Sequence, residues 1–530
     1  GWGWQCGGAA LRGCLLMASR WWRRVVAASS VQFALLVPSA QCGSRGIEIP
    51  LQGGISALGE YFCEVELGSP SQRVRLQVDT GSASFVVTAK ECETCERNGV
   101  VGGAYAYHES SSANKVGCDS SACGSNTCSS ATCDSDVCSE KSNACCSPHD
   151  PDACGFFLQY GGDTNYHVAA QGDLVLEKLV LGNRTFSNMT VYRTMHQGGP
   201  WPSSVDGIFG LGLPALSCNP TCSKPVYEQI IEEQELPKVF SMCFGDTTGM
   251  LVLGSNGKAE GLHSGGVHYV PILQSQMFGT YYKIALTQMF VGATLLDDSK
   301  LAFPREAIVD SGTTLLLLED RLWTSLVAMF QTHYCHLQGV CDTSNVFEAG
   351  VCLTSPPKGF PKLSLSFTGG LRLELPPSLY FVKYDDPVFL RKVYCMGIQP
   401  AGGERTVIGD TLLRGFVTVH DLEKMRVGFA LPNPDVCGNV ASMTPARLRS
   451  KPYFLSEVKN SSQAFALTLG TVVAFAAGLA QLILCARATR GLAPKRPNPI
   501  NESSAQEERE GMLGEISRGG FGTFSTTQPQ

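Results

Sequence analysis

Val78-Asp79-Thr80-Gly81-Ser82 and Val309-Asp310-Ser311-Gly312-Thr313-Thr314 are two copies of one phrase, 231 residues apart in a chain of 530. Each copy is an apolar run, an aspartate, a hydroxyl residue and a glycine. Each has a downstream partner of two apolar residues and a glycine: Ile208-Phe209-Gly210 for the first, Val407-Ile408-Gly409 for the second. A lone Asp-Thr/Ser-Gly arises by chance in a chain this long, and its aspartate then does no more than cap a turn after a strand. Two copies, each with its own partner, point to a duplicated half that contributes one carboxylate to a shared axis. Two carboxylates brought that close cannot both ionise cheaply, so they share a proton and titrate as a unit.

From about Tyr61 to Cys437 the chain resembles the pepsin-like aspartic proteases, on these two phrases and their partners. The resemblance implies a mainly β, bilobal pepsin-like fold and hydrolysis of peptide bonds by a water held between Asp79 and Asp310, with no cofactor and no metal. One carboxylate takes a proton from that water while the other donates to the scissile carbonyl. Thr80 and Ser311 are expected to bond across the axis, and Ser82 and Thr313 to hold the outer carboxylate oxygens. Gly81 and Gly312, lacking Cβ, would let each loop approach the opposite lobe. The flap that closes over substrate is expected at Phe156-Phe157-Leu158-Gln159-Tyr160-Gly161-Gly162-Asp163-Thr164, with Tyr160 in the flap role; an ordinary Gly-Gly hairpin is the bland alternative. The family's tryptophan seven residues after the first aspartate is here Val86, a loss shared with beta-secretase and plasmepsin V. Cys352 and Cys395 stand where the family has its second-lobe disulfide.

The chain carries 23 cysteines, and ten fall between Cys92 and Cys154, five of them (Cys118, Cys123, Cys128, Cys133, Cys138) at intervals of five. A segment so rich in Ser, Asp and Asn forms no core of its own and must be stapled. Disulfides are expected in an oxidising compartment; Cys92-Glu93-Thr94-Cys95 also has zinc-ligand spacing. An insert of cysteines between the first aspartate and the flap resembles the nepenthesin-type branch, and with a C-terminal anchor the layout resembles plasmepsin V. The nine histidines show no ligand spacing, and a net charge of −6 gives no case for nucleic acid.

Met17 reads as the start, with residues before it as leader, and Arg20 to Ala40 as a signal peptide. Residues 464–486 are 23 without charge, long enough to span a bilayer, and Arg487, Arg490, Lys495 and Arg496 follow as a stop-transfer flank. The expected order is leader and signal 1–40, N-terminal lobe 41–265 with the insert 92–154, C-terminal lobe 266–437, linker 438–463, a C-terminal transmembrane helix 464–486 and a cytosolic tail 487–530. That order makes a single-pass, type I protein of a secretory-pathway membrane (endoplasmic reticulum, Golgi or cell surface), its lobes lumenal or extracellular and acting on protein or peptide substrates. Sequons at Asn183, Asn188 and Asn460 fit that topology. Only about 20 residues separate the signal from the first strand, expected at Tyr61, which leaves no room for a pepsin-type pro-segment. A catalytically inactive homologue that binds peptides, or a scaffold displaying the insert as an adhesion module, are the rival classes. The first usually loses an aspartate or a loop glycine, and both of each are present.

Overall fold

The computed structural model describes residues 46–450 except 57–58, 98–99, 121–122, 124–145, 148, 162–167, 200–203, 218–222, 274–280, 297–302, 343–344, 387–390 and 439–446. The expected signal, Asn460, the 464–486 span, the tail and Cys128, Cys133, Cys138 and Cys145 lie outside the described residues. Those described form a mainly β structure with a 14-stranded and a nine-stranded sheet. Each sheet contains one copy of the duplicated unit. In the first, the strand Gln72–Asp79 runs parallel to Gly207–Gly210, with Asp79 beside Gly210, and Gly207–Gly210 runs antiparallel to Phe85–Thr88. In the second, Arg305–Val309 runs parallel to Thr406–Ile408, which is antiparallel to Leu316–Leu318. The apolar-apolar-Gly partners read in the sequence are therefore the strands that flank each aspartate, and a core of Val78, Phe209, Val309 and Ile408 lies behind them.

The second half returns to the first sheet at its end. The closing hairpin Val417–Asp421 and Arg426–Ala430 pairs with Val239–Phe244 on one side and His268–Pro271 on the other, all in the first sheet. The expected first strand is also the second: Ile47–Gly54 precedes it, pairing with Thr248–Leu253 and with Glu60–Leu67. Its strict alternation of buried and exposed residues is interrupted in sequence by Pro50 and ends in Gly53-Gly54, which masks the pattern. Within the expected linker, Arg447–Ser450 adds a strand to the edge Leu371–Leu375, and Arg449 pairs with Glu374 at 2.7 Å.

Six disulfides are formed among the described residues: Cys92–Cys95, Cys118–Cys146, Cys123–Cys154, Cys243–Cys437, Cys335–Cys341 and Cys352–Cys395. Cys92 and Cys95 are thus joined to each other, and no group of residues that could hold a metal occurs among those described. Cys123–Cys154 fastens the insert to the residue before the flap strand Gly155–Tyr160. Cys243–Cys437 closes a span of 194 residues, where the chain-entropy model gives about 5 kcal/mol. It locks the closing hairpin's exit to the strand Val239–Phe244.

His420 lies inside that shared sheet, 1% exposed, stacked on Phe240 and edge-on to Tyr282 with ring centroids 4.5 Å away in both cases. Among the described residues neither ring nitrogen has a hydrogen-bond partner. Burial holds the imidazole down at about 3 against an ordinary 6.5. The folded state therefore keeps His420 neutral, and its contribution is intact above pH 6.5 and lost as pH falls from there toward 3. In this window each pH unit costs at most about 1.4 kcal/mol. His420→Phe, similar in volume and apolar, should flatten the fall of Tm with acidification below pH 6.5. Equal slopes for variant and wild type, by calorimetry across pH 4 to 7, would refute the assignment.

Candidate active site

Both aspartates stand at the ends of parallel strand pairs, where the backbone turns sharply across the sheet edge. The two turns are tied to each other first. Thr80 Oγ1 donates to the Val309 carbonyl at 3.0 Å and accepts from the Ser311 N–H at 3.0 Å. Ser311 Oγ donates to the Val78 carbonyl at 2.8 Å and accepts from the Thr80 N–H at 3.2 Å. Thr80 and Ser311 are 1% and 0% exposed, so these four bonds operate without competition from water. Each carboxylate is then held by its own loop. Asp79 accepts from the Gly81 N–H at 2.7 Å and Ser82 Oγ at 2.5 Å; Asp310 accepts from the Gly312 N–H at 2.9 Å and Thr313 Oγ1 at 2.7 Å.

The glycines set how closely the halves approach. A Cβ on Gly81 would lie 2.6 Å from an oxygen of Asp310, and one on Gly312 would lie 2.3 Å from an oxygen of Asp79. Asp79 is raised well above the usual carboxylate range, first by burial and then by the negative charge of Asp310, to which it is hydrogen-bonded. The arrangement therefore keeps a proton on Asp79 in the neighbourhood of neutral pH.

The pair opens into a cleft of about 720 Å³. Tyr160, at the end of the flap strand Gly155–Tyr160, lines it with Gly161, whose φ of 103° ends the strand. Burial, and secondarily the charge of Asp79, push the Tyr160 hydroxyl well above its ordinary value, so it stays protonated. The remaining expected flap residues, Gly162 to Thr164, lie outside the described residues. Val86, in the place of the family's tryptophan, is fully buried in a cluster with Phe156, Leu158, Tyr192 and Ile208, and Tyr160 packs against that cluster. A buried two-pronged ion pair on facing residues of the flap's supporting strands, Arg193 to Asp173 at 2.6 and 2.7 Å, fixes their register.

Sequence reasoning gave no role to three polar groups here. Glu60, 3% exposed, lines the cleft and accepts a hydrogen bond from Ser204; burial pushes its carboxyl up to about 7. Asp410 follows the second apolar-apolar-Gly partner, 1% exposed, with no hydrogen bond to either oxygen among the described residues. Burial, then the charge of Asp310, raise it well above the usual range. Gln77, two residues before Asp79, lines the cleft as well. None had a distinguishing signal: Gln77 is one polar member of the alternating Arg73-Val74-Arg75-Leu76-Gln77-Val78 that any half-buried strand can show.

The family model for eukaryotic aspartyl proteases matches residues 60–432. The chain belongs to that family. This pepsin-like aspartic protease is 26% identical to aspartic proteinase 39 of Arabidopsis thaliana over 445 residues, 78% of this chain and 84% of that protein. It is 24% identical to human gastricsin over 386 residues (70% and 81%) and 24% identical to nepenthesin-1 of Nepenthes gracilis over 401 (73% and 80%). Family membership makes the protein a peptide-bond hydrolase, and protein or peptide chains its substrates.

Because a methyl group at either loop glycine would strike the opposite carboxylate, Gly81→Ala and Gly312→Ala should each lower kcat of this protease by at least about 100-fold. The far-UV circular dichroism should stay native. A variant within tenfold of wild-type turnover would show that the loops have room to separate.

Proposed function

We propose that Asp79 and Asp310 form the catalytic pair of an aspartic endopeptidase acting on secretory-pathway proteins. Asp310 in its ionised form takes a proton from the attacking water, and Asp79, which holds the shared proton, donates to the scissile carbonyl oxygen. Asp310 then passes its proton to the departing amine as the C–N bond breaks, and Asp79 takes one back from a hydroxyl of the tetrahedral intermediate, which restores the pair. The approach of each loop to the opposite carboxylate, enforced by glycine on both sides, carries this reading. It also favours an active enzyme over an inactive homologue, because every hydrogen bond of one carboxylate has its counterpart on the other. Tyr160 closes the cleft over the substrate, with its supporting strands tied to the insert by Cys123–Cys154.

Since the carboxylates act as a unit, Asp79→Asn and Asp310→Asn should each reduce turnover at least about 1000-fold, and the double variant little further. Substantial peptidase activity in either single variant, measured on a peptide library between pH 3 and 7, would end the assignment.

The same reading places the lobes in an oxidising lumen, as six disulfides favour. The proposed order is signal 1–40, two lobes to residue 437, a linker whose residues 447–450 dock on the second lobe, a membrane span at 464–486 and a cytosolic tail, the layout of the plasmepsin V and nepenthesin-type proteases. Among the described residues no helix is long and apolar enough to cross a membrane, and the 464–486 span lies outside them. Asn183 sits exposed in the two-residue turn Gly182-Asn183 and Asn188 is exposed four residues into the next strand, so both are open to a glycosyltransferase. In sealed microsomes, protease should remove a tag placed after Gln530 and spare the lobes, and glycans should be found at Asn183 or Asn188. Digested lobes with a protected tag would reverse the topology.

A further inference from the structure

From Val78 to Ser82 and from Val309 to Thr313 the two halves of the site mirror each other residue for residue. Thr80 answers Ser311, Gly81 answers Gly312, Ser82 answers Thr313, and Val78 answers Val309. One position earlier, Gln77 answers Ile308. On the strand Gln72–Asp79, side chains alternate between faces, so Gln77 points to the same side as Asp79 while Leu76 and Val78 enter the core. Its strand neighbours are Phe62 and Ile208, which offer its amide no polar group. The amide instead crosses the axis: Nε2 donates to the carbonyl oxygen of Gly312 at 3.3 Å. Gln77 is 9% exposed, so this bond is largely shielded from solvent.

That carbonyl belongs to the Gly312–Thr313 peptide. The residues on its two sides supply both hydrogen bonds that hold the Asp310 carboxylate, the Gly312 N–H and the Thr313 hydroxyl. Asp79's loop has no equivalent brace from the other half, since an isoleucine side chain at 308 cannot donate one. We infer that Gln77 is a positioning residue for Asp310: reaching across the axis, it pins the Gly312–Thr313 peptide so that both donors stay aimed at the carboxylate. The inference rests on the catalytic-pair reading above and deepens it, because it assigns to one lobe the job of holding the other lobe's aspartate in place. The brace is asymmetric, which matches the unequal roles of the pair. The member that must lose its proton receives the extra support.

Removing the brace lets the peptide rock and weakens both donors in the ionised state. The ionised form of the pair then loses support, and the acid limb of the kcat/KM profile, which reports the lower apparent pKa of the pair, moves to higher pH. Three versions of the purified protein decide it: wild type, Gln77→Met and Gln77→Glu. Methionine keeps the length and apolar bulk without a donor. It should lower kcat about tenfold, with KM within about twofold, and raise the acid limb by about half a unit or more. Glutamate is isosteric and regains a donor only when protonated, so Gln77→Glu should be more impaired than Gln77→Met at neutral pH and recover toward wild type as pH falls. A merely structural role would give neither the shifted limb nor the pH-dependent rescue. Unchanged kcat and acid limb in Gln77→Met would overturn the inference, and so would a loss confined to KM, which would make Gln77 a substrate contact. If Gln77→Met misfolds, as read by circular dichroism, the rescue of Gln77→Glu decides alone: recovery on acidification supports the brace and its absence refutes it. Asp310→Asn in parallel separates the two readings: retained activity there ends the catalytic pair itself, whereas its loss alongside a normal Gln77→Met ends only the brace.

Discussion

Four hydrogen bonds between the turns at Thr80 and Ser311 are the constraint on which this molecule is built. They join two loops that are 231 residues apart in sequence, and they are fully enclosed. A buried hydroxyl left without its partner costs about 1–3 kcal/mol, so separating the loops would strand several polar groups at once. Everything nearer the chemistry inherits its position from this lock. The glycines can lie against the opposite carboxylates only because the loops cannot drift. The raised proton affinity of Asp79 owes part of its size to that enforced proximity, since a second carboxylate close by disfavours ionisation of the first.

The shared sheet serves the same end on a larger scale. Two lobes joined only by their active-site loops would hinge there, and any hinge motion would be paid out as misalignment of the carboxylates. Threading the closing hairpin of the second half into the sheet of the first removes that freedom, and Cys243–Cys437 makes the threading difficult to undo. Beside the pair, Val86 leaves Tyr160 packed on an aliphatic and aromatic cluster.

The parts of this architecture legible in the sequence were those fixed by local chemistry. The two Asp-hydroxyl-Gly turns, their apolar-apolar-Gly partner strands and the flap strand ending at Tyr160 each need particular residue types at adjacent positions, so they leave a signature. What stayed hidden depends on pairing between distant segments. Ile47–Gly54 reads as a Pro- and Gly-containing stretch until its neighbours on both sides are known. The docking of Arg447–Ser450 turns on an open strand edge at Leu371–Leu375, which no local pattern announces. Disulfide connectivity in the insert is combinatorial by nature, because spacing alone does not choose among partners. Gln77 follows the polar phase of the alternating strand before Asp79 and so drew no notice, and its partner lies in the other half of the chain.

The buried ionisable groups pull the protein's pH tolerance in opposite directions, and their placement explains why. Glu60 and Asp79 line the cleft and Asp410 lies near the pair, and burial raises all three, so acid conditions favour the neutral forms that the folded state prefers. His420 lies in the shared sheet with no acceptor to receive an added proton, so acid conditions strain it. The catalytic end thus gains from protons while the platform that holds the two halves together loses by them. Phe240 and Tyr282 bind these two regions physically: the first stacks on His420, and the second, edge-on to the same ring, donates its hydroxyl to the Leu211 carbonyl. Leu211 in turn gives its N–H to the Asp79 carbonyl at 2.7 Å. A charge forced onto His420 is therefore three contacts from the backbone of the first aspartate, and the acid boundary of the fold is coupled to the geometry of its site.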